Sequence, residues 1–312
     1  DIYLNDRFVT RTNLTHYTLS NLTQGLNKVT VIAYDFFSNN ASDSVIFYVD
    51  LGNPEIEIIS PASGLLINRT KVLVKWAGND NESGVDHYSI YVNGVQLDQV
   101  YFNVTEYLVY GLVEGENNIT ITVCDKAGNL AFDSITVLVD LTPPTVSLVS
   151  PTNGSYVRAI VVINCSVTDN FGIENVKALV DGVEIPIYTS SNGTYKFLWN
   201  TTTFSNNQSN VSVIAKDLAG NKKIVQITVT VDNIPPTLGI LEPEKEFLKS
   251  ISHIKVYAMD NNAVQNVTLL INDEQVAMWK QTGVFVYEWN LPLENGIYHL
   301  RLLAFDIAGN SF

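Results

Sequence analysis

One phrase, roughly Ala-x-Asp-x-x-Gly-Asn, returns along the chain at a nearly fixed step, and that period restricts the fold more than any other feature of the sequence. It reads AYDFFSN at 33–39, VCDKAGN at 123–129, AKDLAGN at 215–221 and AFDIAGN at 304–310. Its aspartates, Asp35, Asp125, Asp217 and Asp306, lie 90, 92 and 89 residues apart. Three further phrases keep the register. Asp50, Asp140 and Asp232 stand just before prolines (Pro54, Pro143 with Pro144, Pro235 with Pro236); Ser60–Pro61, Ser150–Pro151 and Glu242–Pro243 follow; Asp80–Asn81, Asp169–Asn170 and Asp260–Asn261 mark a loop in each unit. Tandem repeats follow from this: the C-terminal part of a repeat in 1–50, complete repeats in 51–140 and 141–232, and a repeat lacking its last strand in 233–312. Both ends of the window fall inside strands. Open sheet edges are sticky, so the expectation is a longer repetitive chain, seen inside a polymer or assembly with neighbouring copies as partners.

Within a repeat the pattern is that of strands. In 51–140, seven short runs (PEIEIIS, KVLVKWA, DHYSIYVNG, VQLDQVYF, TEYLVYGL, NITITVCD and AFDSITVLVD) are separated by turn-forming residues. Such spacing describes a Greek-key β-sandwich of about 90 residues. Alternation is clearest in the sixth run, where Ile119, Ile121 and Val123 share one face and Thr120 and Thr122 the other. The column recurs as Val29, Val31, Ala33; Val211, Val213, Ala215; and Leu300, Leu302, Ala304. No helical period runs for a useful length, so the fold class is all-β: tandem seven-stranded sandwiches in an extended array.

Composition narrows the function. With 18 Lys plus Arg against 32 Asp plus Glu the formal charge is −14, which disfavours phosphate-rich partners and excludes nucleic acid. No stretch approaches the roughly 18 apolar residues of a membrane span, so no membrane contact is expected within the segment. The cysteines, Cys124 and Cys165, do not form a disulfide framework. Asparagine is the informative residue. Its 33 copies and the 46 Ser plus Thr predict about five Asn-x-Ser/Thr acceptor sequons by chance, whereas fourteen occur, at Asn13, Asn21, Asn40, Asn68, Asn81, Asn103, Asn118, Asn153, Asn164, Asn192, Asn200, Asn207, Asn210 and Asn266. N-linked glycans and an extracellular, cell-surface location are expected. By strand parity Asn118 and Asn164 should face outward.

The phrase Ala-x-Asp-x-x-Gly-Asn, a following strand ending in Val-Asp, the proline pair, and then Ser-Pro with Asn-Gly close behind, as in SPTNGSY from Ser150, resemble the bacterial and archaeal immunoglobulin-like repeats of cell-surface and secreted proteins. The resemblance covers nearly the whole chain. It implies a sandwich fold and leaves function broad: stalks, surface-layer segments, adhesin spacers, or accessory domains of secreted hydrolases. Antibody-type domains are not matched, because no repeat holds a cysteine pair. Cys165 takes the core position of Trp76 and Val256, while Cys124 lies on the outer face.

Sites of chemistry are sparse. His16, His87, His253 and His299 fall at different places in their repeats, and no hydrolase, metalloprotease or phosphate-binding motif is present. A catalytic set should be unique, whereas the informative acids recur once per repeat, so the segment reads as no enzyme and needs no cofactor. In a seven-stranded sandwich the loops after the second and sixth strands share a pole with the entering linker. This gathers Asp50, Asp80, Asp125; Asp140, Asp169, Asp217; and Asp232, Asp260, Asp306. Such sets of hard oxygens suit calcium; each aspartate is equally a natural cap for the N–H groups of its own turn. Among the tryptophans, Trp76, Trp199 and Trp289 read as core, and Trp279 is the candidate for an exposed sugar-stacking ring. The loop 201–210 (TTTFSNNQSN) is the other anomaly. The expected role is a structural segment of a glycosylated surface protein, as stalk, surface layer or filament; the rival is an adhesin or carbohydrate-binding accessory module.

Overall fold

The computed structural model describes residues 1–244, 250–289 and 294–312. It divides into two compact units, Asp1–Leu141 and Thr142–Phe312. Each is built of β-sheets joined by turns, with a single short 3-10 turn, Thr201–Thr203, among the described residues.

In the first unit, the repeat at 51–140 is a sandwich of a three-stranded and a five-stranded sheet. The smaller sheet runs Glu106–Tyr110, Lys71–Asn79, Glu55–Ser60; the larger runs Leu65–Ile67, Leu130–Val139, Gly115–Asp125, Val85–Val92, Val95–Tyr101. The inner faces alternate as the sequence requires. Ile119, Ile121 and Val123 are fully buried, and Trp76 from the small sheet meets Tyr88 from the large one edge-on at 5.5 Å. All seven expected strands are present, but the count is eight. The first strand ends its antiparallel ladder at Ser60, since Pro61 has no N–H to offer. The chain then crosses to the other sheet, where Leu65–Ile67 pairs in parallel with Val137–Val139.

Residues 1–50 form one four-stranded sheet in the order Arg7–Thr10, Ile2–Leu4, Gly25–Tyr34, Asn40–Val49. Ile2 pairs with Val31 as Ile90 pairs with Ile121, which places this sheet as the counterpart of the larger one above. Its inward column is open on one side: Val31 is 48 % exposed, whereas Ile121 is 0 %.

In the second unit, residues 145–231 form sheets of four and five strands. Crossing recurs after Pro151, with Tyr156–Val157 parallel to Thr230–Val231. A second proline adds a further crossing. Val183–Ile185 stays with Ile173–Val180, but beyond Pro186 the chain joins the other sheet, where Ile187–Ser191 pairs with Thr194–Asn200. Nine strands result, where 51–140 has the unbroken Val95–Tyr101 and eight. Among its described residues the last repeat contributes two three-stranded sheets, Thr237–Glu242, His253–Met259, Gly283–Glu288 and Glu274–Trp279, Val264–Ile271, Leu300–Asp306. The repeats at 51–140, 141–232 and 233–312 each enclose an apolar core.

Candidate metal centre

The recurring aspartates are placed by their turns. Asp125 ends the inward column of its strand, and its Oδ1 accepts the N–H groups of Ala127 (2.9 Å) and Asn129 (2.8 Å), while Gly128 closes the turn at φ +95°. Glycine suits that position because a Cβ is disfavoured at positive φ. In the first repeat Ser38 takes it at φ +67°. Equivalent bonds reach Asp35 from Phe37 and Asn39, Asp217 from Gly220 and Asn221, and Asp306 from Asn310. The loop aspartates cap as well. Asp80 Oδ1 accepts N–H bonds from Glu82 and Gly84, Asp169 Oδ1 from Phe171 and Gly172, and Asp260 Oδ1 from Asn262 and Ala263.

Two of the three sets lie wholly within one unit. The carboxylates of Asp50, Asp80 and Asp125 each offer an oxygen within 4.8 Å of the other two, and Asp232, Asp260 and Asp306 do the same. Asp140 belongs to the first unit, while Asp169 and Asp217 belong to the second.

Around the two sets the donors differ. Asp50 accepts bonds from Gly52 N–H, Ser83 N–H and the Gln24 carboxamide, and hydrogen bonding by Ser83 together with Gly52 holds its carboxyl below the usual range. Asp232 accepts from Ile234 N–H and from the side chains of Asn261 and Asn262. Asp260 is the exception. Its Oδ2 is buried without a hydrogen-bond partner, and burial, with the charges of Asp232 and Asp306 adding to it, pushes its carboxyl above the usual range. Bringing three like charges together in a partly dry site costs free energy unless a cation or protons offset it.

The final asparagine of the phrase has a role that the pattern alone did not reveal. Asn129 Nδ2 donates both to Asp125 Oδ2 (2.8 Å) and to the backbone carbonyl of Asp50, 79 residues earlier (3.2 Å). Asn310 Nδ2 repeats this with Asp306 Oδ2 (2.7 Å) and the Asp232 carbonyl (2.9 Å). One carboxamide thus fastens a turn of one repeat to the linker that enters it. A second clasp holds the linker from the other side: Gln24 accepts the Leu51 N–H, Glu114 that of Leu141, and Asn206 that of Asn233. Three different side chains do this, which hides the clasp from a search for a repeated phrase; their matching distance from the linker is the signal that remains.

Other candidates fall where packing puts them. Trp76 and Trp199 are buried, as is Trp289. Trp279 does not present an open ring: it stacks on Phe285 at 4.9 Å and packs against the core of the last repeat, because the edge strand carrying it folds over that core. In the loop after Asn200, Phe204 turns inward onto Trp199 at 5.6 Å, edge to face. Cys124 and Cys165 are free thiols. His87 pairs with Asp86, and His253 with Glu242 at 2.7 Å; Ser252 Oγ meets the other nitrogen of His253, and both the histidine and the glutamate are more than a third exposed. Twelve of the fourteen sequon asparagines are exposed, Asn118 among them. Asn164 is half-buried with its Oδ1 covered, since its strand runs between Thr145–Ser150 and Thr194–Asn200 and both neighbours close over it.

The model of the bacterial Ig domain family matches residues 144–213. No curated protein matches the chain. Similar solved structures include fibronectin(III)-like modules of Clostridium thermocellum CbhA, at 20 % identity over 57 % of this chain and 95 % of that one, with a TM-score of 0.37. Another is a tetra-tandem repeat from the extending region of a large adhesion protein, at 17 % identity over 96 % and 82 %, TM-score 0.36. A third is a structure titled for host cell surface retention of a 1.5-MDa bacterial ice-binding adhesin, at 17 % identity over 84 % and 96 %, TM-score 0.36. With two packed sheets, a crossing first strand and a family match inside it, the third repeat is a bacterial immunoglobulin-like domain, and the second follows the same plan.

Proposed function

We propose that this chain is a load-carrying spacer segment of a bacterial or archaeal cell-surface protein, working without catalysis, in which copies of one domain are fastened end to end. The observation that carries the reading is the asparagine staple. At two junctions the same carboxamide, Asn129 to the Asp50 carbonyl and Asn310 to the Asp232 carbonyl, joins one repeat to the next. The sequon excess supports an extracellular, N-glycosylated surface, and a negative surface suits solvation between neighbouring copies. Deleting residues 51–140 from the intact protein in its own cell tests this: surface display should persist, with the outermost part drawn in by one repeat. Retention of full reach, or loss of a measurable enzymatic activity, would contradict the reading.

A second reading is favoured by Asp260. A buried carboxylate oxygen with no donor, facing two other carboxylates, is an arrangement that a hard divalent cation completes, and calcium suits it by ligand type and by its demand for six to eight oxygens. Asp232, Asp260 and Asp306 would hold it in the second unit and Asp50, Asp80 and Asp125 in the first. A ligand that binds the folded form alone stabilises it by mass action. Millimolar calcium should therefore raise the melting temperature by several degrees over the EDTA-treated protein; identical melting curves would leave the aspartates as turn caps.

A further inference from the structure

We propose that the glycan on Asn103 lies against the ring of Tyr101, so that the turn between them is a built seat for the first sugar. The proposal rests on the reading of the sequons as glycosylated. Strand Val95–Tyr101 ends in a turn closed by a bond from Val104 N–H to the Tyr101 carbonyl at 3.0 Å, with Phe102 and Asn103 at its centre, neither at positive φ. Its aromatic side chains are in solvent: Tyr101 is 78 % exposed and Phe102 60 %. This repeat is a complete sandwich, so the exposure is not due to a missing half of the domain. Tyr101 pairs across the sheet with His87, and His87 with Cys124, which puts the ring in the outward register. Large rings left open on a finished domain are candidates for a partner.

The sequence supplies one beside them. Asn103 opens the sequon Asn103–Val104–Thr105, and of the fourteen sequons it alone has an aromatic residue two positions before the asparagine. A pyranose presents a face of C–H groups with slight positive charge, and an aromatic ring presents a face of slight negative charge, so the two stack with modest attraction and shared exclusion of water. Tethering makes the encounter intramolecular, which raises the effective concentration of the sugar at the ring. The turn is already ordered at both ends, since Thr105 C=O accepts the Trp76 N–H at 3.0 Å, so little further ordering is required. Asn118 and Asn210 are internal comparisons. Both are exposed sequons on the middle strand of a larger sheet, and Glu116 and Gln208 stand where Asn103 has Tyr101.

The test is a double-mutant cycle on the glycoprotein isolated from its own cells, comparing the parent, Tyr101→Ser, Asn103→Gln and the double variant. Site occupancy comes from glycopeptide mass spectrometry, and stability from calorimetric melting. Loss of the Asn103 sequon should lower the melting of the second repeat by roughly 4 °C more in the parent background than in the Tyr101→Ser background. Occupancy at Asn103, and not at Asn118, should fall about twofold in Tyr101→Ser. An occupied Asn103 with additive effects overturns the seat and leaves the glycan reading standing. A bare Asn103 among occupied sequons also overturns the seat, and bare sequons throughout overturn both.

Discussion

Asn129 and Asn310 each make two bonds from one amide nitrogen, to the aspartate four residues earlier and to a carbonyl nearly 80 residues away. Removing either side chain should leave its own sandwich folded and weaken the hold on the entering linker. For Asn310→Ala the expected loss is about 2 kcal/mol, since one of the two acceptors is a buried carboxylate; chemical denaturation of the second unit checks it. Asp260 gives a prediction of opposite sign. Its carboxyl sits above the usual range because burial and two neighbouring acids disfavour the charged form. The folded state therefore holds the proton more tightly than the unfolded one. Its stabilising contribution is full below the unfolded value and is lost as pH rises through the folded one. In EDTA, Asp260→Asn should thus melt above the parent at neutral pH and lose that advantage in acid; an advantage that persists unchanged into acid would refute the assignment. Asp50 behaves conversely, its hydrogen-bonded contribution fading as pH falls. The aspartates and their spacing were visible in the sequence. Their donors were not, because Gln24, Ser83 and Asn262 share no phrase.

Strands were legible wherever one face is buried. Ile119, Ile121 and Val123 announce their strand by alternation, and all three are fully buried; Ile121→Ala should cost about 3 kcal/mol through lost burial and a cavity, readable as a shift of the urea midpoint in a two-state fit of the second repeat. Prolines explain what alternation missed. Pro61, Pro151 and Pro186 each lack the N–H that would continue a ladder, and beyond each the chain changes sheet, turning seven expected strands into eight and nine. Replacing Pro186 by Val returns the missing donor, and amide exchange should then show Ile187–Ser191 less firmly held by Thr194–Asn200. Unchanged protection there would mean that the crossing is set by side-chain packing. Trp279 was misread for a related reason. An edge strand has no second neighbour in its sheet, yet its inner face still covers the core, and Phe285 receives the ring.

At the level of the molecule, the period of about 90 residues announces a chain of similar β-sandwich repeats. A spacer needs domains that hold under load and yield one at a time. A sandwich resists pulling from its ends because the first and last strands must shear past their partners, and here Leu65–Ile67 ties the entering segment in parallel to the exiting strand Leu130–Val139, as Tyr156–Val157 does with Lys222–Val231. Stretching single molecules between their two ends measures this directly. Separate unfolding steps are expected, among them one for 51–140 and one for 141–232, each releasing about 30 nm of chain at roughly 3.5 Å per residue. A single step of twice that length, or a featureless extension, would contradict the claim that the chain is a row of independently holding domains.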